Sequence, residues 1–166
     1  MRRKQVTVIG RYDATEEQYA LGMAIGQLLA ELDVIAVTGG RAGLMEAVAR
    51  GCAEAGGTSV GILPSENFED GNGFNTIVIP TGIGYARNSM NVLAADVVIA
   101  VGGAAGTLSE IAFAWSYRRP IIALTTGGGW AAELAGKCLD HRWDEPVLEA
   151  NNLEELRAHL LRLLAA

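Results

Sequence analysis

Short runs of hydrophobic residues alternate along the chain with longer segments in which apolar residues recur every three or four positions. Continuous Val- and Ile-rich runs are typical of strands buried on both faces of a parallel sheet, and the longer segments are typical of covering helices. The pattern predicts strands at about 5–10, 34–38, 58–63, 76–80, 97–101 and 121–124, with a possible short strand at 146–148. It predicts helices at 15–32, 44–55, 85–94, 107–117 and 153–165.

This alternation predicts an α/β fold, a Rossmann-like doubly wound parallel sheet flanked by helices on both faces, because crossovers between parallel strands are right-handed. No repeat or linker interrupts the pattern, and 166 residues is close to the usual size of one domain. We therefore expect residues 1–166 to form a single domain. The polar, non-periodic segment 65–75 is expected to be a surface loop and is a candidate mobile lid.

Composition and charge exclude several classes of protein. Half of the residues are hydrophobic, which supplies a core, and the formal net charge is −6 without a Lys/Arg stripe beyond the N-terminus. We therefore expect no nucleic-acid partner, since phosphate-backbone affinity depends on clustered cations. No apolar run is long enough for a membrane helix or a signal peptide, so a cytoplasmic protein without a membrane partner is expected. Cys52 and Cys138 are both expected to be buried thiols.

Two glycine-rich loops each follow a predicted strand and enter a helix, at the edge of the sheet where such folds bind ligands. Glycines permit close backbone approach, and a helix N-terminus offers free N–H groups and partial positive charge to an anion. The loops are predicted to form a phosphate cradle, although the glycines alternatively serve only to permit tight turns. The candidate phosphate- or nucleotide-binding residues are Gly39, Gly40, Gly43, Gly103, Ala104, Ala105, Gly106 and Thr107.

Two charged residues near these loops are the candidate catalytic residues. Glu110 is expected in the first turn of its helix, pointing back over the second loop, with Thr107 as the helix cap. Alternatively, Glu110 only favours the helix dipole. Arg87 is expected at a helix N-terminus, where its charge opposes the dipole unless it binds an anion; a salt bridge to a neighbouring acid is the alternative.

Other chemistries lack suitable residues. Lys4 and Lys137 are the only lysines, and neither is placed to form a Schiff base with pyridoxal phosphate. His141 and His159 are isolated along the chain, so no metal site is expected. No cofactor is predicted.

At the second loop and Arg87, the chain resembles the LOG ("lonely guy") group of nucleoside-monophosphate phosphoribohydrolases and its SLOG relatives. The pattern PGGxGTxxE of that family is similar to the stretch 102–110, and its catalytic arginine corresponds to Arg87. The motif positions in common are Gly103, Gly106, Thr107 and Glu110. Asp96 and the glycine-rich stretch 39–45 also match the family, and the resemblance covers about residues 6 to 125.

The resemblance implies hydrolysis of a nucleoside 5′-monophosphate to free base and ribose 5-phosphate. The chain departs from the motif at Gly102 in place of proline, Ala104 in place of glycine and Asn88 in place of lysine. These departures fit a divergent branch that also resembles the molybdenum-cofactor carrier proteins, which bind a pterin phosphate without hydrolysing it. The alternative function is therefore a non-catalytic carrier or sensor of a phosphorylated ligand.

A homodimer or higher homo-oligomer is expected. Helices 15–32 and 107–117 are apolar over much of their circumference, which predicts a partner subunit against Phe113 and Trp115. LOG-like proteins are at least dimers, so the resemblance implies the same. The alternative is that Phe113 and Trp115 pack on opposite sides of an internal helix.

Overall fold

The computed structural model describes residues 2–165, and at its centre is a sheet of seven parallel strands. The Val- and Ile-rich runs form the inner strands, which are buried on both faces. The strands are β1 (Gln5–Gly10), β2 (Ile35–Thr38), β3 (Thr58–Leu63), β4 (Ile77–Pro80), β5 (Val97–Val101), β6 (Ile121–Leu124) and β7 (Leu148–Ala150). Every neighbouring pair runs parallel, so the predicted Rossmann-like sheet is confirmed.

Helices connect these strands and cover both faces of the sheet. They are α1 (Glu16–Glu31), α2 (Leu44–Glu54), α3 (Arg87–Leu93), α4 (Ala105–Ser116), α5 (Gly129–Leu134) and α6 (Leu153–Leu164). α1 begins with a capping box, in which the side chains of Thr15 and Gln18 each accept the backbone N–H of the other residue. α6 begins where the Asn152 side chain accepts the backbone N–H of Glu155.

The strand order β4-β3-β2-β1-β5-β6-β7 contains one switch point, between β1 and β5. The chain builds outward from β1 to β4 and then returns to the other side of β1. Gly10 at the end of β1 lies beside Val101 at the end of β5. The loops after these two strands therefore begin side by side, at the position where doubly wound sheets bind ligands.

Among the described residues the hydrophobic core has two large clusters, one on each face of the sheet, and a smaller one formed by Val37, Val60 and Ile62. On the first face, Ile25, Val48 and Leu156 bring α1, α2 and α6 onto the strands. On the second face, Ile111 and Ala131 do the same for α4 and α5. Both clusters bury large aliphatic side chains completely, which makes them the main source of hydrophobic stabilisation.

α1 and α2 approach each other closely because glycines lie at their contact. A Cβ at Gly26 would collide with the backbone carbonyl of Val48, and a Cβ at Gly51 would collide with that of Met23. This contact covers apolar surface of α1 within the chain. It also fixes α2, and with it the loop that enters α2, against β1.

Trp115 lies inside the chain, so its predicted place in a subunit interface is wrong. It is buried in the core of the second face, and its Nε1 donates to the Asp140 carboxylate at 3.0 Å. Phe113 faces outward instead and stacks on Tyr117, with 6.3 Å between the ring centroids. Phe113 and Trp115 therefore lie on opposite sides of α4, but Phe113 is exposed, so α4 is not the internal helix of the alternative.

Several element bounds differ from the predictions. β7 lies at Leu148–Ala150 rather than 146–148, and α5 was not predicted. A 3-10 turn at Gly84–Ala86 precedes α3, and α4 begins two residues before Thr107. Cys52 is buried, which raises the pKa of its thiol, whereas Cys138 is exposed, contrary to the prediction.

None of the helices within residues 2–165 combines the length and the apolar character required to cross a membrane.

Candidate functional site

The second glycine loop ends in an open helix N-terminus. Gly102 and Gly103 have φ values of +61° and +104°, which glycine adopts without strain. Ala104 precedes α4 with an extended backbone and provides no side-chain cap. The backbone N–H of Leu108 donates to the Ala104 carbonyl, but the three N–H groups at 105–107 have no acceptor within residues 2–165. These groups and the positive end of the helix dipole attract an anion.

Thr107 does not cap α4, so that prediction is wrong. It is the third residue of the helix, and its buried side chain fills the space beside Gly103, where a Cβ would collide with it. Gly106 faces open space, since a Cβ there would have no heavy atom within 4 Å. Ala104 and Ala105 are exposed as well. A ligand can therefore approach the free N–H groups from the Gly106 side.

The first glycine loop is held by its neighbours. Gly43, with φ of +68°, precedes α2 and lies against the Tyr12 carbonyl, where a Cβ would collide. The backbone carbonyl of Gly40 accepts the Asn72 backbone N–H at 2.8 Å and the Asn75 side-chain amide at 3.2 Å. The segment 65–75 is thus a surface loop, as predicted, and it is tied to the first glycine loop.

Arg87 is buried between the first glycine loop and α4, with 8% of its surface exposed. Its Nη2 donates to the Gly39 carbonyl at 3.2 Å, and its Nη1 donates to the Asn88 side chain at 3.0 Å. A Cβ at Gly39 would lie 2.6 Å from Met45 Sδ and 2.8 Å from Nη1 of Arg87, so a larger residue here would displace these two side chains. Asn88 in turn donates to Ser109 on α4.

The guanidinium of Arg87 keeps unused capacity to bind an anion. Its Nε is buried without a partner in the described part of the chain. The ion pairs formed by residues 2–165 do not include Arg87, so the alternative of a salt bridge to a neighbouring acid is not observed there. Burial lowers the pKa of Arg87, and the nearby Glu110 carboxylate partly offsets this effect.

Glu110 lies in the second turn of α4 and is 6% exposed, so the prediction of a first-turn position over the loop is wrong. Its Oε1 accepts Nδ2 of Asn91 on α3 at 2.8 Å. Asn91 is fully buried, and its backbone carbonyl accepts the Thr7 hydroxyl at 2.6 Å. Burial raises the pKa of Glu110 to about 7, against smaller lowering effects of Asn91 and Arg87. The protonated form of Glu110 therefore persists to higher pH than that of an exposed glutamate.

The structure brings together Arg87, Glu110 and Gly39, because α3 and α4 pack side by side. Gly40 and Gly43 shape the first loop and contact other loops instead. Asp96, which matches the LOG pattern, directly precedes β5 and so lies at the amino ends of the strands, away from the glycine loops. Its carboxylate binds Arg2 at 2.6 Å and the Gln5 backbone N–H, and these bonds lower its pKa to about 2.

Sequence reasoning missed a cavity of about 530 Å³ at the carboxyl ends of β1, β2 and β3. Arg41 stands over the Tyr12 ring at its mouth, 4.8 Å from the ring centroid. The lining residues are Tyr12, Arg41, Ala42, Glu46, Pro64, Ser65, Asp70, Gly71 and Asn72. The sequence signal for this cavity is the position of Tyr12 and Arg41 just after two strands. Neither residue is one of the glycines that mark the two loops.

The sheet, its switch point and the two glycine loops define a Rossmann-like protein of the SLOG/LOG-like superfamily. Within that superfamily, the chain belongs to the SLOG cluster4 family, whose family model matches residues 3–157. An uncharacterized protein of Archaeoglobus fulgidus is 40% identical over 124 residues, which are 75% of this chain and 82% of that protein.

Two solved structures of named proteins share the whole fold. The molybdenum cofactor binding protein of the phototrophic bacterium Rippkaea orientalis is 35% identical, with a TM-score of 0.87 over 100% of this chain and 99% of that one. The molybdenum cofactor carrier protein of Chlamydomonas reinhardtii is 33% identical, with a TM-score of 0.88 over 99% and 100% of the two chains. The resemblance drawn from the motif residues is therefore confirmed at the level of the superfamily.

Proposed function

We propose that this protein binds a small phosphorylated ligand and carries it without cleaving it. The observation that supports this proposal is the set of three free N–H groups at the start of α4, close to the buried guanidinium of Arg87. Backbone N–H groups and a guanidinium both donate charge-assisted hydrogen bonds to phosphate oxygens. Because the chain is similar over its full length to molybdenum cofactor carrier and binding proteins, a phosphorylated pterin is the ligand class we favour.

The state of Glu110 supports a binding role over hydrolysis. Cleavage of an N-glycosidic bond develops positive charge on the ribose carbon, which an ionised and accessible carboxylate stabilises. Glu110 is instead buried and bonded to Asn91, and burial raises its pKa to about 7, so its ionised form is disfavoured. In this account its role is to stabilise the arrangement of α3 against α4 next to Arg87.

Hydrolysis of nucleoside 5′-monophosphates is the second candidate function. It is favoured by the pKa of about 7 at Glu110, which suits a general acid, and by Arg87 nearby. Hydrolysis releases the free base and carriage of the ligand does not, so the free base distinguishes the two functions.

We therefore predict that GMP raises the melting temperature while guanosine does not, and that no guanine is released from GMP. GMP is the probe because it combines a phosphate with a flat, nitrogen-rich ring, as a phosphorylated pterin does. Differential scanning fluorimetry measures the first result and chromatography of the incubated mixture the second. Equal stabilisation by guanosine would contradict the phosphate site. If the wild-type protein releases guanine from GMP and Glu110→Gln does not, the carrier proposal is wrong and the protein is a hydrolase.

We also propose that two copies of the chain associate through the outer side of α3 and α4. The exposed apolar residues there are Met90, Leu93, Phe113 and Tyr117. A surface of this kind on a soluble fold is typical of a protein interface. The interface we propose thus uses Phe113 and not Trp115.

A further inference from the structure

The cavity bounded by the loops after β1, β2 and β3, here called the β1–β3 pocket, lies at the carboxyl ends of the strands, as does the proposed phosphate site. β1 neighbours β5 in the sheet, and Gly10 is paired with Val101. Neighbouring strands are about 4.8 Å apart. Tyr12, at the mouth of the pocket, is therefore one strand away from the loop that leads into α4. A ligand with its phosphate on α4 can extend toward this pocket.

The mouth of the β1–β3 pocket is suited to a flat ring. The guanidinium of Arg41 stacks over Tyr12, and both side chains are exposed. Guanidinium and phenol groups both bind planar ligands by stacking. Within residues 2–165, neither Arg41 nor Tyr12 forms an ion pair or a second cation–π contact. A planar heterocycle can therefore extend the stack.

The charges of the pocket disfavour a second phosphate. Arg41 is accompanied by two carboxylates, Glu46 and Asp70. One oxygen of Glu46 already accepts the Tyr19 hydroxyl at 2.9 Å. Asp70 lies in the exposed 3-10 turn Phe68–Asp70. Since an ionised carboxylate only accepts hydrogen bonds, the part of a ligand that lies here must offer N–H donors.

Ser65 adds a hydrogen-bond donor at the same place. Its Oγ is buried and has no partner in the part of the chain that the structure describes. An unpaired buried hydroxyl is costly, and a carbonyl oxygen on the ligand would accept its proton. Asn72 also lines the pocket, and its side-chain amide donates to the carbonyls of Gly40 and Arg41 at 3.1 and 2.9 Å.

We propose that the β1–β3 pocket binds the heterocyclic ring of the phosphorylated ligand through an edge that carries an amino group and a ring N–H beside a carbonyl. Asp70 accepts the amino and ring N–H groups, Ser65 donates to the carbonyl, and the ring stacks at Arg41 and Tyr12. Guanine and pterins have such an edge. This inference rests on the phosphate site of the proposed function and names the ligand class that the same site selects.

Three ligands separate the ring pocket from the phosphate site. Ribose 5-phosphate occupies only the phosphate site, and IMP differs from GMP only by the missing amino group. Isothermal titration calorimetry should show ribose 5-phosphate binding weakly, IMP more tightly, and GMP about tenfold more tightly than IMP. Equal affinity for GMP and IMP would overturn the assignment of Asp70. Equal affinity for all three would overturn the ring pocket but leave the phosphate site. If none of the three binds, both proposals fail.

Variants of the pocket residues show which side chain causes the difference in affinity between GMP and IMP. Asp70→Ala should remove the difference between GMP and IMP and leave the affinity for ribose 5-phosphate unchanged. Glu69→Ala is the matched control, because Glu69 is the neighbouring exposed carboxylate and does not line the pocket. Ser65→Ala should weaken GMP and IMP equally. A GMP preference that survives Asp70→Ala, or that Glu69→Ala removes, would contradict the proposal.

Discussion

The two buried charged residues of the site, Arg87 and Glu110, are each held by an asparagine. Asn88 accepts a hydrogen bond from Arg87, and Asn91 donates one to Glu110. The charged residues were predicted from the sequence because they stand next to glycine loops. The asparagines were not, because Asn is common in turns and on exposed helix faces, and only the packing of α3 on α4 shows them to be buried.

The raised pKa of Glu110 predicts a pH-dependent effect of Glu110→Gln. The folded chain holds this proton up to about pH 7, whereas a carboxyl at its ordinary pKa of 4.5 releases it earlier on unfolding. The free energy of unfolding therefore falls as pH rises between these values. Glutamine cannot ionise and still accepts from Asn91. We expect the variant to melt about 5 °C above wild type at pH 8 and much closer to it at pH 5.

Thermal denaturation at pH 5, 6, 7 and 8 measures this effect. Glu69→Gln is the control, because it removes an exposed carboxylate, and its melting temperature should follow wild type at every pH. A difference between Glu110→Gln and wild type that stays constant from pH 5 to pH 8 would contradict the raised pKa of Glu110.

At the scale of elements, the inner strands were predictable because strands buried on both faces are continuous Val and Ile runs. α5 was not, since it begins at the third of three consecutive glycines and is only six residues long. The N–H groups of its second and third residues donate to the second glycine loop, from Trp130 to Gly103 and from Ala131 to Gly102. The start of α4 was misplaced because Thr107, a good capping residue, packs against Gly103 instead.

The contact between α1 and α2 predicts that Gly26→Ala destabilises the protein. Alanine in place of glycine normally stabilises a helix by about 0.5–1 kcal/mol. Here the added Cβ would meet the Val48 backbone, which cannot move without displacing α2. We expect a loss of about 1–3 kcal/mol in the free energy of unfolding, measured with urea. Gly106→Ala is the control, because its Cβ meets open space and should not destabilise. A stabilised Gly26→Ala would disprove the close contact.

At the scale of the whole molecule, the chain has a net charge of −6, yet the proposed ligand is an anion. The attraction is therefore local, at the start of α4 and at Arg87. That residues 1–166 form one domain stays a prediction, as does the association of two copies. Sequence patterns cannot tell which side of an apolar helix the same chain covers, and this is why Trp115 was misplaced.

The proposed dimer predicts a mass of twice 17.5 kDa for the wild-type protein in solution. Phe113→Glu places a charge on the outer side of α4 and should yield a folded monomer of 17.5 kDa. Light scattering coupled to gel filtration measures both masses. Leu161→Glu, at an exposed apolar position of α6, is the control and should remain dimeric. A monomeric wild type, or a dimer that survives Phe113→Glu, would contradict this interface.

The phosphate site at the start of α4 is tested most directly by a charge placed at Gly106. A side chain fits there without contacts, so Gly106→Asp and Gly106→Asn should both fold, and they differ mainly by one negative charge. With GMP in isothermal titration calorimetry, the account predicts that Gly106→Asn binds more weakly than wild type, because its side chain occupies the side from which the ligand approaches. Gly106→Asp should bind at least tenfold more weakly than Gly106→Asn, about 1.4 kcal/mol. Equal affinities of the two variants for GMP would contradict a phosphate bound at this helix N-terminus.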